Sequence, residues 1–193
     1  MLKSVFLTAL AVCIAVIGGA GSVWLALERD FGFGAVAIGS WVAFPDHGTP
    51  QADPYSRARF SRETDLALGR AEGLVFTARR DADGEALRRA CTYRMEGSLP
   101  PARFWTLSAR DAGNAVIAID GRAPALHSQA LLRRPDNSVV TTVSRHPAPG
   151  NWLALAGAGP FSLVLTLYDT AIASSARIAE VELPRIVREG CDG

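Results

Sequence analysis

The sequence predicts a mainly β fold, an all-strand sandwich or barrel-like module with one short helix at its N-terminal edge, preceded by a single transmembrane helix. Three observations predict it. From Ser4 to Leu27 there is no charged side chain. From Ala71 onward, apolar and polar residues alternate with a period of two in several short runs, the pattern of strands with one buried face. Between the runs stand turn-forming groups such as Asp83-Gly84, Asp120-Gly121 and Pro135-Asp136-Asn137.

The first element reads SVFLTALAVCIAVIGGAGSVWLAL, with Lys3 before it and Glu28, Arg29 and Asp30 after it. As a helix of about 24 residues it rises roughly 36 Å, enough to cross a hydrocarbon core of about 30 Å. A secretory signal has a shorter apolar core, about 7–15 residues, and then a small-residue cleavage site. Gly18, Gly19, Ala20, Gly21 and Ser22 are small, but apolar character resumes through Val23, Trp24, Leu25 and Leu27, so a retained anchor over 1–30 is expected. Its partner is the lipid bilayer. Lys3 and the terminal amine on one side outweigh Arg29 on the other. The positive-inside rule then leaves the N-terminus cytoplasmic and the module outside a bacterial inner membrane, in the periplasm.

Residues 31–52 are glycine-rich and apolar without helical spacing, and are expected to form an extended connector whose aromatics meet lipid or dock on the module. The module itself is expected over 53–193. Asp53-Pro54 has the form of an N-cap followed by proline at the first helical position, predicting two helical turns from Tyr55 to Arg62. Leu74 and Phe76 then alternate with Val75 and Thr77 in a strand. The turn at Asp81-Ala82-Asp83-Gly84-Glu85 predicts a hairpin whose second arm passes through Cys91, Tyr93 and Met95. The acids of that turn lack the spacing of a calcium loop. Further strands are expected over 104–108, 116–119, 127–132 and 138–144, the last two as a hairpin around Pro135-Asp136-Asn137. Phe161, Leu163, Leu165 and Leu167 alternate with Ser162, Val164, Thr166 and Tyr168 in the cleanest run of all, which belongs in the middle of a sheet.

Composition narrows the function classes. The chain is 49% hydrophobic and 20% charged, with a net charge of +1 and the signs interleaved. No basic face marks nucleic-acid binding. His47, His127 and His146 stand at no metal-ligand spacing from each other or from a cysteine, so neither a metal nor a cofactor is expected. Cys13 lies in the anchor as a small apolar residue. Cys91 and Cys191 are either two separate thiols or, in an exported module, a disulfide closing a loop of about 100 residues, worth at most nearly 5 kcal/mol in the chain-entropy model.

Several groups of residues carry a family likeness. They are Asp53-Pro54-Tyr55, Cys91-x-Tyr93-x-x-x-Gly97, the run Leu99-Pro-Pro-Ala-Arg103-Phe104-Trp105-Thr106-Leu107, Asn151-Trp152-Leu153, Leu167-Tyr168-Asp169 and Leu183-Pro184-x-Ile186. With these the chain resembles the bacterial family called domain of unknown function 1214, in its short membrane-anchored form, from about Trp41 to Cys191. The resemblance implies a jelly-roll-like antiparallel β-sandwich and a separate partner protein of the family domain of unknown function 1254. It carries over no catalytic residue. Two positions depart from the family pattern: Ala154 stands where proline is frequent, and Thr166 where arginine is common.

The candidates for a working surface are Arg103, Trp105, Asn151, Trp152 and Tyr168, which combine apolar area with hydrogen-bonding tips near turns; the alternative is structural, with Trp105 in the core, Asn151 capping a turn and Trp152 covering a sheet edge. They favour a binding or interaction module in the cell envelope over an enzyme. A hydrolase acting on an envelope or exported small substrate is the first alternative, although no Gly-x-Ser-x-Gly elbow is present. A carbohydrate-binding sandwich is the second, and it turns on whether Trp105 or Trp152 faces outward.

Overall fold

The structure, a computed structural model, describes residues 2–28, 34–54, 57, 61, 68–175 and 178–192. Its first element is helix α1, Leu2–Glu28. Across Lys3–Trp24 none of its residues is buried among the described residues, and none of these outside the helix comes within 4 Å of a Cβ placed at Gly18, Gly19 or Gly21. By length and composition α1 is able to cross a membrane, a property that signal sequences share.

The module is a sandwich of two sheets. Its strands are β1 (Val36–Ile38), β2 (Trp41–Ala43), β3 (Gly73–Ala78), β4 (Cys91–Gly97), β5 (Phe104–Arg110), β6 (Ala125–His127), β7 (Val139–Ser144), β8 (Asn151–Ala154), β9 (Ser162–Tyr168) and β10 (Arg185–Cys191). One sheet runs in the order β1-β2-β3-β9-β5-β6, the other β10-β4-β7-β8. The alternation seen in the sequence dictates which side chains meet between them. Leu74, Phe76 and Ala78 of β3, Trp105, Leu107 and Ala109 of β5, and Leu163, Leu165 and Leu167 of β9 face Tyr93 and Met95 of β4, Val139 and Val143 of β7 and Ile186 of β10 across one core. Strand β9 lies between β3 and β5, the central place its pattern predicts. At Gly73 a Cβ would fall 2.1 Å from the Leu167 carbonyl oxygen, so the start of β3 admits no side chain.

The connector expected over 31–52 instead supplies β1 and β2. Trp41 and Ala43 are buried in the core, and the Trp41 indole donates a hydrogen bond to the Pro184 carbonyl at 2.8 Å. Docking of that aromatic turns the stretch into part of the larger sheet. The helix expected from Tyr55 to Arg62 falls largely outside the described residues, where Pro54, Arg57 and Ser61 are helical.

Both predicted hairpin turns form, but their arms part. After β3 the chain reverses at the Asp81 turn, makes a single bridge between Arg80 and Ala86, and buries Leu87 completely. It then enters β4 in the opposite sheet. The turn at Pro135-Asp136-Asn137 likewise closes one bridge, Arg133 to Val139, and joins β6 of one sheet to β7 of the other. Each turn is a corner of the sandwich: the alternating patterns on either side specify buried faces, and both sheets offer one. The strand expected over 116–119 reduces to a bridge from Val116 to Arg110. Among the described strands the pairings are antiparallel except that of β7 with β8, which pair in parallel after the short loop 145–150.

Candidate functional site

Strand parity sorts the five candidate residues. In β5, Trp105 shares its face with Leu107 and Ala109, so it points into the core; it is 3% exposed. Phe104 has the opposite parity and lies on the outer face. It sits directly across from Tyr168 of β9, with ring centroids 5.9 Å apart, and its other neighbour is His127 of β6 at 5.8 Å. Three rings from three adjacent strands thus form one row.

Arg103 stands at the end of that row. Its backbone N–H donates to the Tyr168 carbonyl at 3.2 Å, and its guanidinium reaches the Asp169 carboxylate at 3.5 Å. Both side chains of that pair project well into solvent, so the pair adds about 0–1 kcal/mol to stability and keeps its charges available. The corner is fixed from beneath. The Thr170 hydroxyl donates to the Pro101 carbonyl at 2.7 Å and accepts from the N–H of Ile172, capping a short 3-10 turn, Ala171–Ser174.

Asn151 and Trp152 lie elsewhere, on β8 at the edge of the smaller sheet. Asn151 is a buried staple. Its Oδ1 accepts from the Leu132 N–H at 2.8 Å, and its Nδ2 donates to the carbonyls of Leu132 and Val140, each at 2.8 Å. Trp152 faces outward and is half-buried. Its indole N–H donates to Ser144, and the Arg122 guanidinium lies 4.4 Å from its ring centroid, a cation–π contact. Along the same outer face Arg94 pairs with Glu96 at 2.9 Å.

The structure therefore brings Arg103 and Tyr168 together, buries Trp105, uses Asn151 to hold loops, and sets Trp152 apart. Phe104 and His127 were not among the candidates drawn from the sequence. The signal for Phe104 was present: two adjacent aromatics in a strand face opposite ways, and Leu107 tells which one is inside.

Cys91 and Cys191 are directly opposite each other in the β4–β10 ladder and are joined by a disulfide. The acids of the first turn are committed to structure. Asp81, with its side chain 1% exposed, pairs with Arg188 at 2.9 Å and accepts from the N–H groups of Asp83 and Glu85. At the second turn, the Ser138 hydroxyl and N–H hold the Asp136 carboxyl below its ordinary range against an opposing effect of burial, and the Arg134 charge adds a lesser lowering. Among the described residues no group of three His, Cys, Asp or Glu side chains is placed to hold a metal ion. What the outer corner offers is recognition chemistry: aromatic area beside a solvated charge pair.

Comparison with known proteins gives a family and a fold. The family model described as "Protein of unknown function (DUF1214)" matches residues 72–172. No curated protein matches. The crystal structure of the VPA0106 protein from Vibrio parahaemolyticus is similar over 72% of this chain and 36% of its own, with 18% identity and a TM-score of 0.57. This chain therefore spans about a third of that protein's length. A putative uncharacterized protein from Burkholderia cenocepacia aligns over 92% of this chain and 52% of its own, with 18% identity and a TM-score of 0.42.

Proposed function

The chain belongs to the DUF1214 family, and from that premise we propose that it is a single-pass inner-membrane protein presenting its β-sandwich on the periplasmic side as a binding module of the cell envelope. The observation that carries this reading is the unburied apolar surface of α1. Along Lys3–Trp24 no residue is buried among the described residues, and an apolar surface of that length and composition supports lipid as its solvent. The Cys91–Cys191 disulfide supports an oxidising compartment. In this reading residues 1–30 are the tether and the module begins with β1.

The binding surface is the corner made by Arg103, Phe104, His127, Tyr168 and Asp169, and the proposed partner is a separate protein of the family domain of unknown function 1254. Half-exposed rings next to a solvated ion pair suit a protein interface, with an apolar centre and a polar rim. Two measurements test the proposal. Protease added to intact spheroplasts is expected to digest the module; digestion only after lysis would overturn the topology. Mild-detergent purification at native expression is expected to bring down a second envelope protein from the wild type and markedly less from an R103A/Y168A double variant. Recovery of the chain alone would overturn the binding role.

A further inference from the structure

We infer that the Cys91–Cys191 disulfide is a reversible latch: a dithiol opens it, and the end of strand β10 then leaves β4 while the sandwich stays folded. This goes beyond the proposed location and partner, and its test does not depend on either.

The two halves of β10 are held by different means. In the first half Ile186 is fully buried opposite Met95, and its carbonyl accepts from the Ala82 N–H at 2.8 Å. Arg188 is tied to the buried Asp81 carboxylate at 2.9 Å, donates to the Ala86 carbonyl and lies over the Tyr93 ring. The ladder then slips between Arg188 and Gly190. Beyond that bulge Glu189, Gly190, Cys191 and Asp192 are all exposed. Their ties are the short ladder opposite Cys91 and Thr92, a hydrogen bond from the Asp192 N–H to the Ala90 carbonyl at 2.7 Å, surface contacts of Asp192 with Arg145 and His146, and the disulfide. Removing the covalent bond leaves the outer half without any buried side chain to hold it.

Access to the bond is one-sided. Cys91 is 3% exposed, whereas Cys191 lies at the surface, so a thiolate reaches the Cys191 sulfur. That attack forms a mixed disulfide at Cys191 and expels Cys91 as a thiolate, which takes up a proton. The second thiolate of the same dithiol attacks the mixed disulfide, releasing Cys191 and closing the dithiol into its own disulfide. Two electrons and two protons pass from dithiol to protein. A disulfide with one cysteine at the surface is open to exchange from that side. The opened state uncovers the β4 backbone at Cys91 and Thr92, a strand edge able to accept another strand.

Hydrogen–deuterium exchange on the full chain in detergent, before and after treatment with dithiothreitol, tests the latch. Reduction is expected to speed exchange over 189–192 and at 91–92 at least tenfold more than in β5 and β9, which report global opening, and C191S is expected to show the same pattern without reductant. Should C191S fail to fold, the reduced wild-type chain alone decides between the outcomes. An equal acceleration in β9 and over 189–192 would make the bond a staple of the whole fold and overturn the inference. Unchanged exchange over 189–192, or a disulfide that survives dithiothreitol under native conditions, would overturn it equally.

Discussion

Replacing Asn151 by alanine separates a structural role from a binding role. The carboxamide makes three hydrogen bonds, one accepted from the Leu132 N–H and two donated to the carbonyls of Leu132 and Val140. Each is worth about 0.5–1.5 kcal/mol net, which puts the total near 3 kcal/mol. Leu132 itself is 70% exposed, so water takes over its two backbone groups and the loss falls to about 2–3 kcal/mol. For a module of this size each kcal/mol moves the melting temperature by about 2–4 °C, so N151A is expected to melt about 4–12 °C below the wild type. Asn151→Asp keeps the acceptor but turns an oxygen towards two carbonyls, and is expected to lose more. Thermal unfolding in detergent, followed by near-ultraviolet circular dichroism, reads both. An N151A transition within about 1 °C of the wild type would refute the staple.

The other predictions address the remaining positions. Trp105→Ala removes a buried ring from the core and is expected to cost about 3–5 kcal/mol, as a loss of denaturant resistance in equilibrium unfolding. Tyr168→Ala, at a position 36% exposed, is expected to leave that midpoint nearly unchanged. Ser138→Ala removes the main cause of the lowered Asp136 carboxyl pKa. Its titration, followed by carboxyl-carbon NMR, is expected to move upward. Because the folded value is depressed, the contribution of Asp136 to stability is present above its unfolded pKa and disappears as pH falls through the folded one. S138A is therefore expected to flatten the acid side of the stability profile.

Much of the fold was legible because period-two patterning reports burial directly. Leu163, Leu165 and Leu167 placed β9 at the centre, and the uncharged run over 4–27 announced α1. The pairing of strands was less legible. Asp83-Gly84 and Pro135-Asp136-Asn137 specify a reversal of direction, but a reversal serves a hairpin and a sandwich corner alike. Burial of Leu87 after the first turn decides for the corner, and only the assembled core shows that. Trp41 looked like a lipid-boundary or docking aromatic because three-residue strands are too short for a periodic signal. At the outer corner, strand parity decides between the adjacent rings: Trp105 shares its face with Leu107 and is buried, and Phe104 lies outside beside Tyr168. For Asn151 the sequence leaves two roles open, because a carboxamide near a turn serves backbone staples as readily as ligands, and the structure shows the hydrogen bonds of a staple.

Peptide mapping of the protein recovered from carbonate-washed membranes reads whether α1 remains attached and holds a folded sandwich at the membrane. The residues of α1 are expected to be present, joined to the module. A shorter chain beginning after α1 and recovered from the soluble fraction would contradict that attachment.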